Sequence, residues 1–179
     1  MIIDDAQIQA LRRNISELEN KQKDYPVRML PVYEHPVYLW DALQTAKKRI
    51  LIISPWITRS VVDTKFLSAL KDRLQAGVEI HIGYGLDEKK EGPPVETTAE
   101  KDLSRLEREF VNLHIKRLGN THAKILIKDE DYLITSSFNW LSFKGNPKRT
   151  FREEWGTYIA ISEVINDQYH KMQDRIIGS

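Results

Sequence analysis

A short stretch in the last third of the chain combines side chains suited to attack on a phosphodiester. From His122 it reads HAKILIKDEDYLITSSFN. His122 and Lys124 are two residues apart on a predicted strand, so their side chains leave the same face of the sheet. Ser137 and Asn139 share a face for the same reason. A nucleophile, a fixed cation and donors for the non-bridging oxygens are what such an attack requires.

Two strand-like runs are predicted to bring those side chains together. Ala123–Lys128 and Tyr132–Ser136 are separated by Asp-Glu-Asp, which indicates a hairpin. If residues 129 and 130 form a two-residue turn, residue 128 pairs with 131 and Ser137 lies directly across from His122. Asp129 then lies at the turn, away from His122. We expect it to fix the turn or a neighbouring cation, and its replacement to harm folding more than chemistry.

The spacing of these residues resembles the signature of the phospholipase D superfamily. His122-x-Lys124 is followed after four residues by Asp129, and after six more by SSFN at 136–139. From average residue usage, a chance match in a chain this long is on the order of one in a hundred thousand. The early run ILIISPWI also resembles that family, so the resemblance covers roughly residues 38–161. Ser136 departs from the family's usual glycine, at a cost of about 1 kcal/mol if that position needs a positive φ or a close backbone approach.

The resemblance implies a role for each polar side chain of the motif. His122 would attack phosphorus and become a phosphohistidine, while Lys124, Ser137 and Asn139 would hold the phosphate. Glu154 is similar to the family's downstream acidic residue that orients a histidine. The neighbouring Glu153 is the competing assignment for that role.

A second histidine is needed to protonate the leaving oxygen, and the chain has only one complete motif. In His114-Ile115-Lys116 the position that matches Asp129 is Thr121, and no Ser-x-Asn follows. The remaining histidines have no such surroundings: His35, His81 and His170. Short single-motif members of the family, the bacterial endonucleases that this chain resembles, pair across a two-fold axis. We therefore expect an isologous homodimer with both copies of His122 in one cleft, and a nearly inactive monomer.

The loop after Asn139 favours nucleic acid as the substrate. It holds four cations without an acid and interleaved aromatic residues: Trp140, Phe143, Lys144, Lys148, Arg149, Phe151 and Arg152. Cations suit a phosphate backbone and aromatic rings suit unpaired bases. Trp140 could equally pack under the site. Two alternatives stay open: a phospholipid hydrolase or phosphatidyl transferase of the same superfamily, and a non-catalytic nucleic-acid-binding module.

Composition limits the classes of protein and of chemistry. The 179 residues are 41% hydrophobic and 30% charged, which indicates a globular domain with a real core. Without cysteine there is no disulfide and no thiol catalysis. A lysine stands in the motif where a second metal ligand would be needed, so we expect no metal and no cofactor. The sequence has neither a secretory h-region nor an apolar run long enough to span a bilayer. We therefore expect a cytoplasmic protein that does not bind membranes.

Alternating strands and helices must position the motif. The sequence predicts strands near Val27–Val32, Ile50–Ser54, Val78–Gly83, Val111–Lys116 and Trp155–Ile161, in addition to the hairpin, with helices between them and an amphipathic C-terminal helix. This order predicts an α/β fold, a mixed β-sheet flanked by helices on both faces, phospholipase D-like, with one motif per chain.

The domain division places a helix and linker at residues 1–26 and the catalytic domain at residues 27–179. The helix has one apolar stripe, at Ile8, Leu11, Ile15 and Leu18. The small size leaves room for further domains in a larger parent protein.

Overall fold

The computed structural model describes residues 25–85, 97–145 and 153–178, together with Gln9, Ala10, Arg13 and Ile15. These four residues are helical, within the predicted N-terminal helix. The other three residues of its apolar stripe lie outside the described part of the chain: Ile8, Leu11 and Leu18. The division of the chain at residue 26 stays a prediction.

Seven strands form one sheet in the described part of the chain. They are β1 (Val27–Pro31), β2 (Arg49–Ser54), β3 (Glu79–Tyr84), β4 (Leu113–Arg117), β5 (Ile125–Lys128), β6 (Tyr132–Ser136) and β7 (Trp155–Ile159). A short 3-10 helix and four α-helices connect or follow them: Val32–Glu34, α1 (His35–Thr45), α2 (Thr64–Gln75), α3 (Thr98–Glu109) and α4 (Ser162–Ile177).

The sheet has the order β1-β7-β6-β5-β2-β3-β4 and is mixed, as predicted. β2, β3 and β4 run parallel because α2 and α3 return the chain to the same end of the sheet. The pairs β2–β5, β5–β6, β6–β7 and β7–β1 are antiparallel. The carboxyl end of β2 therefore meets the start of β5 at the same edge of the sheet.

Helices cover both faces of the sheet, which confirms the predicted fold class. Ile50 and Ile52 of the central strand β2 pack in a core with α1, α2 and α3. Leu51 and Ile53 pack in a second core with α4. The near-continuous apolar run of β2 is what a strand covered on both faces requires.

The helix starts follow from local sequence. Asp63 caps α2, because its carboxylate accepts the backbone N–H of Phe66 at 3.0 Å. Thr97 and Glu100 form a capping box at α3, in which the Thr97 hydroxyl accepts from the Glu100 N–H at 3.2 Å. Both patterns satisfy N–H groups that have no partner in the first turn of a helix.

The hairpin has a different register from the one predicted. Lys128 pairs with Tyr132, so the turn has three residues, and the expected two-residue turn is wrong. The cause is Asp129, which adopts a left-handed φ of 49°, a conformation that Asp tolerates better than most residues. The shift by one residue places Ser136, instead of Thr135, beside Lys124, with the Ser136 N–H donating to the Lys124 carbonyl at 3.1 Å. The expectation that Ser137 lies directly across from His122 is therefore also wrong.

Asp129 ties the turn to the loop between α1 and β2. Its carboxylate accepts the backbone N–H groups of Lys47 at 2.9 Å, Lys48 at 2.7 Å and Arg49 at 2.9 Å. Its own N–H donates to the Arg49 carbonyl at 2.9 Å. The carboxylate thus binds main-chain amides at the end of β5 that lies away from His122.

Candidate active site

The expected catalytic side chains lie around one edge of the sheet. β5 begins, β6 ends and β7 begins at this edge, beside the carboxyl end of β2. His122 and Lys124 precede β5, Ser137 and Asn139 follow β6, and Glu154 precedes β7. The strands therefore supply a rigid frame, and the motif residues occupy the segments just outside it.

His122 and Lys124 are in direct contact. The Lys124 ammonium lies 3.2 Å from His122 Nε2 and donates to the His122 carbonyl at 2.7 Å. His122 is exposed, whereas Lys124 is buried. The contact holds the imidazole next to a fixed cation, and with the ammonium as donor Nε2 would be the ring nitrogen that accepts.

Ser137 contacts a buried carboxylate. Its hydroxyl donates to Glu154 Oε2 and accepts the Trp155 backbone N–H at 3.1 Å. Glu154 is buried, while Glu153 is exposed and accepts the Trp155 indole N–H at 2.8 Å. Of the two acidic residues, Glu154 is the one joined to the motif.

Asn139 lies beneath the surface with an unused acceptor. It is 3% exposed, and its Oδ1 has no hydrogen-bond partner among the described residues. Its backbone carbonyl accepts the N–H groups of Ser142 at 3.1 Å and Phe143 at 3.0 Å. An unsatisfied buried amide oxygen is uncommon, and functional sites are among the places where such groups occur.

Ser136, which replaces the family's usual glycine, is not strained. Among the described non-glycine residues only Asp129 has a positive φ. The Ser136 hydroxyl accepts the backbone N–H of Phe138 at 3.2 Å. This serine therefore stabilises the start of the segment that carries Ser137 and Asn139.

Trp56 also lies at this edge, although its sequence position predicted no role for it. Its ring meets the His122 ring edge-on, with centroids 6.0 Å apart and an interplanar angle of 80°, and it is 38% exposed. The Ser54 hydroxyl donates to the Trp56 carbonyl at 3.1 Å and accepts the Leu141 N–H at 3.2 Å. The signal was the run ILIISPWI, whose tryptophan directly follows a buried strand.

The aromatic and basic residues after Asn139 differ in their exposure. Trp140 is 0% exposed and packs against His35 and Phe138. Its indole therefore offers no face to a base, and the packing interpretation is the correct one. The Lys144 side chain is exposed and lies 3.8 Å from the Asp63 carboxylate. The other three cations of this loop lie outside the described residues: Lys148, Arg149 and Arg152.

His35 supports the site from beneath and is neutral. Its ring stacks on Phe138 with centroids 4.7 Å apart, and its Nδ1–H donates to the Pro31 carbonyl at 3.1 Å. A Cβ at Gly156 would lie 2.6 Å from its Nε2, so glycine is needed there. Burial lowers the pKa of His35 from 6.5 to about 4.

This lowered pKa predicts acid sensitivity. The unfolded chain binds a proton near pH 6.5 and the folded chain only near pH 4, so stability is complete above about pH 6.5 and is lost as the pH falls towards 4. The loss approaches about 3 kcal/mol. Urea unfolding of the wild type and His35→Leu between these pH values measures it. The difference in unfolding free energy between the two proteins must shrink on acidification; a constant difference would contradict the prediction.

Comparison with known proteins identifies the family. The family described as "Cardiolipin synthase, PLD-like domain" matches residues 39–171, most of the chain. The chain belongs to the phospholipase D superfamily. A search of curated proteins finds no match. Among the residues that the structure describes, no helix is both long and apolar enough to cross a membrane.

Solved structures of other superfamily members and of functionally different proteins have a similar fold. Nuc from Salmonella typhimurium, a phospholipase D family member, is 18% identical with a TM-score of 0.57, over 83% of this chain and 92% of Nuc. The archaeal chromatin protein TrmBL2 is 14% identical with a TM-score of 0.54, over 94% of this chain and 61% of that protein. Phosphatidylserine synthase from Haemophilus influenzae is 13% identical with a TM-score of 0.61, over 93% of this chain and 41% of the synthase. At these identities the likeness concerns the fold alone.

Proposed function

We propose that this superfamily member is a metal-independent nuclease that cleaves phosphodiester bonds through a phosphohistidine at His122, in a homodimer. The observation that carries the proposal is the 3.2 Å contact between Lys124 Nζ and His122 Nε2 at an exposed edge of the sheet. It places an exposed imidazole directly beside a cation that can move from the ring nitrogen to a phosphate oxygen and offset the charge developing there.

In the first step His122 Nε2 attacks phosphorus, so that a P–N bond forms and a P–O bond breaks. The leaving oxygen takes a proton from the partner subunit's His122. In the second step water attacks phosphorus, the P–N bond breaks, and the partner subunit's His122 accepts the proton from water. Lys124 and the amide of Asn139 bind the phosphate oxygens in both steps. The Ser137 hydroxyl is the third group assigned to the phosphate, and its proton would turn from Glu154 to a phosphate oxygen when the substrate binds.

A second copy is proposed because no other histidine of the chain suits the role of acid. All five histidines are described. His35 is buried, and with its pKa lowered to about 4 it has no proton to donate at neutral pH. His81 and His114 are on β3 and β4, and His170 is on α4. The partner's His122 would lie in the same environment as the nucleophile, and it would act as the acid in the first step and as the base in the second.

An exposed apolar surface beside the motif supports this arrangement. Met29 is 60% exposed and pairs with Thr157, which shares a sheet face with Trp155. Trp155 is also exposed and its backbone bonds Ser137. Large exposed apolar side chains on one sheet face are typical of a protein interface. An interface here would border the catalytic edge, as a shared active site requires.

The substrate class rests on the exposed groups around His122. Trp56 offers an aromatic face beside the nucleophile, and Lys144 offers a cation on the segment after Asn139. Aromatic rings and cations together suit a flexible or single-stranded nucleic acid. The chromatin protein with a similar fold is described by its DNA binding, which also favours nucleic acid. Phosphatidylserine synthase and the family's own description favour a phospholipid as the second candidate.

Cleavage of labelled single- and double-stranded DNA and RNA in excess EDTA tests the proposal. We expect cleavage to continue in EDTA within about two-fold of the rate without it, because a lysine rather than a metal balances the phosphate charge. Release of head group from phosphatidylglycerol vesicles, measured in parallel, tests the lipid alternative. Reversible loss of nucleic-acid cleavage in EDTA, with the chain still folded by circular dichroism, would contradict the mechanism. Head-group release without nuclease activity would make a phospholipid the substrate. Binding of nucleic acid without any turnover would favour a non-catalytic module.

A further inference from the structure

A second group of ligand-type side chains lies on the sheet face that α4 covers. Glu79 and His81 are two residues apart on β3 and so point to the same face. His114 lies directly across from His81 on the edge strand β4. One ligand atom of each residue lies within 4.8 Å of the other two. The three side chains therefore converge without any contribution from the catalytic motif.

The atoms around His81 leave one of its ring nitrogens directed at this group. Nδ1 lies 3.1 Å from the Tyr169 hydroxyl, within the core under α4. Nε2 lies 3.6 Å from the Glu79 carboxylate and 3.5 Å from the Gln173 amide. A bond from Nδ1–H to Tyr169 would fix the tautomer in which Nε2 has a free lone pair. This is how histidine ligands are commonly oriented in metal sites.

The group is also open to an incoming ion. His81 is fully buried, but about half of the Glu79 side chain is exposed and His114 is partly exposed. The imidazoles of His81 and His114 stack with centroids 4.8 Å apart and an interplanar angle of 25°. The Glu79 carboxylate and the His114 ring are therefore reachable from the solvent side of the sheet edge.

We propose that Glu79, His81 and His114 bind a divalent transition metal ion, with Zn²⁺ as the best fit. Two imidazole nitrogens and one carboxylate oxygen suit zinc, whereas Mg²⁺ and Ca²⁺ prefer oxygen ligands alone. Gln173 of α4 donates its amide N–H to the Glu79 carboxylate at 3.3 Å and so would hold this ligand in place. The ion would link β3, the edge strand β4 and α4, and so act as a structural clamp.

No metal ligand was predicted because His114 is distant in the sequence from Glu79 and His81. His114 was considered only as a false start of the catalytic motif. The usable signal was Glu79-x-His81 on a predicted strand, which places two ligand types on one face. The partner on β4 depends on the register between two parallel strands, which an amino-acid sequence does not specify.

Zinc titration of the full chain, freed of metal with EDTA and exchanged into chelator-free buffer, tests the proposal. We expect one Zn²⁺ per chain by calorimetry and a higher Tm with zinc. His114→Gln and Glu79→Gln, both at partly exposed positions, should each weaken binding more than about 100-fold, and Tyr169→Phe about 10-fold. His122→Asn is the matched control and should bind zinc as the wild type does. Circular dichroism of each variant without metal verifies that it is folded.

The outcomes separate this site from the catalytic edge, because none of these measurements depends on cleavage. Absence of binding heat and of a Tm shift in the wild type would overturn the proposal. So would unchanged affinity in both His114→Gln and Glu79→Gln, or loss of binding in His122→Asn. Co²⁺ in place of zinc gives a further readout, since visible absorption bands that disappear in His114→Gln would place nitrogen ligation at this residue.

Discussion

His122→Asn should lower the rate of nucleic-acid cleavage by at least about 10⁴-fold. Asparagine keeps a polar side chain of similar reach but has no basic nitrogen to form the P–N bond. Every homodimer of the variant also lacks the group that protonates the leaving oxygen, so both steps fail. Binding should stay within a few-fold of wild type, because Lys124 and Asn139 still bind the phosphate. Single-turnover cleavage of a labelled oligonucleotide and fluorescence anisotropy measure the two quantities.

The matched control is His170→Asn, which removes an exposed histidine from α4 and should leave cleavage unchanged. A labelled substrate should also transfer its phosphate to the wild-type chain, and the adduct should be stable to alkaline quenching but absent from His122→Asn. Cleavage by the variant at the wild-type rate, or a covalent adduct on another residue, would rule out the assigned nucleophile.

Much of the fold could be predicted because it depends on local patterns. The run RILIIS of β2 is apolar on both faces, as a strand between two helix layers must be. Thr97 and Glu100 mark the start of α3 by a capping box that is visible in the sequence. The alternation of strands and helices then leaves few arrangements other than a mixed sheet with helices on both faces.

The hairpin register could not be predicted in the same way. Asp129 adopts a positive φ because its carboxylate binds three backbone amides of the loop between α1 and β2, about 80 residues earlier in the chain. That long-range contact favours a three-residue turn over the two-residue turn that local sequence indicates. Conformation at a turn can thus be decided by a distant part of the fold.

In the candidate site, too, residues that are close in the sequence could be predicted, whereas contacts made by the fold could not. His122 and Lys124 were identified because they are close in the sequence, and their contact follows from that closeness. Trp56 and the buried support by His35 were missed because strand pairing, not sequence spacing, brings them to the motif. Trp140 was assigned two possible roles, since an indole beside a motif serves equally well in a core or in a binding surface until its burial is known.

Met29→Glu should convert the proposed dimer into a monomer and lower cleavage at least about 100-fold at nanomolar protein concentrations. A carboxylate placed on an exposed apolar sheet face has no cation to pair with at a two-fold interface, and it meets its own copy or apolar groups there. Val111→Glu is the control. It adds the same charge at an apolar position that is 95% exposed and lies before β4, away from the catalytic edge. Light scattering gives the mass and an oligonucleotide assay gives the rate.

Subunit mixing then distinguishes a shared active site from a dimer of independent sites. If each active site needs His122 from both subunits, a heterodimer of wild type and His122→Asn has no activity. Equal amounts of the two proteins, allowed to exchange subunits, should retain about one quarter of the activity of the same total amount of wild type. Independent sites would retain about one half, because each wild-type subunit would continue to act alone. Activity near one half, or a fully active Met29→Glu monomer, would show that one chain supplies both the nucleophile and the acid.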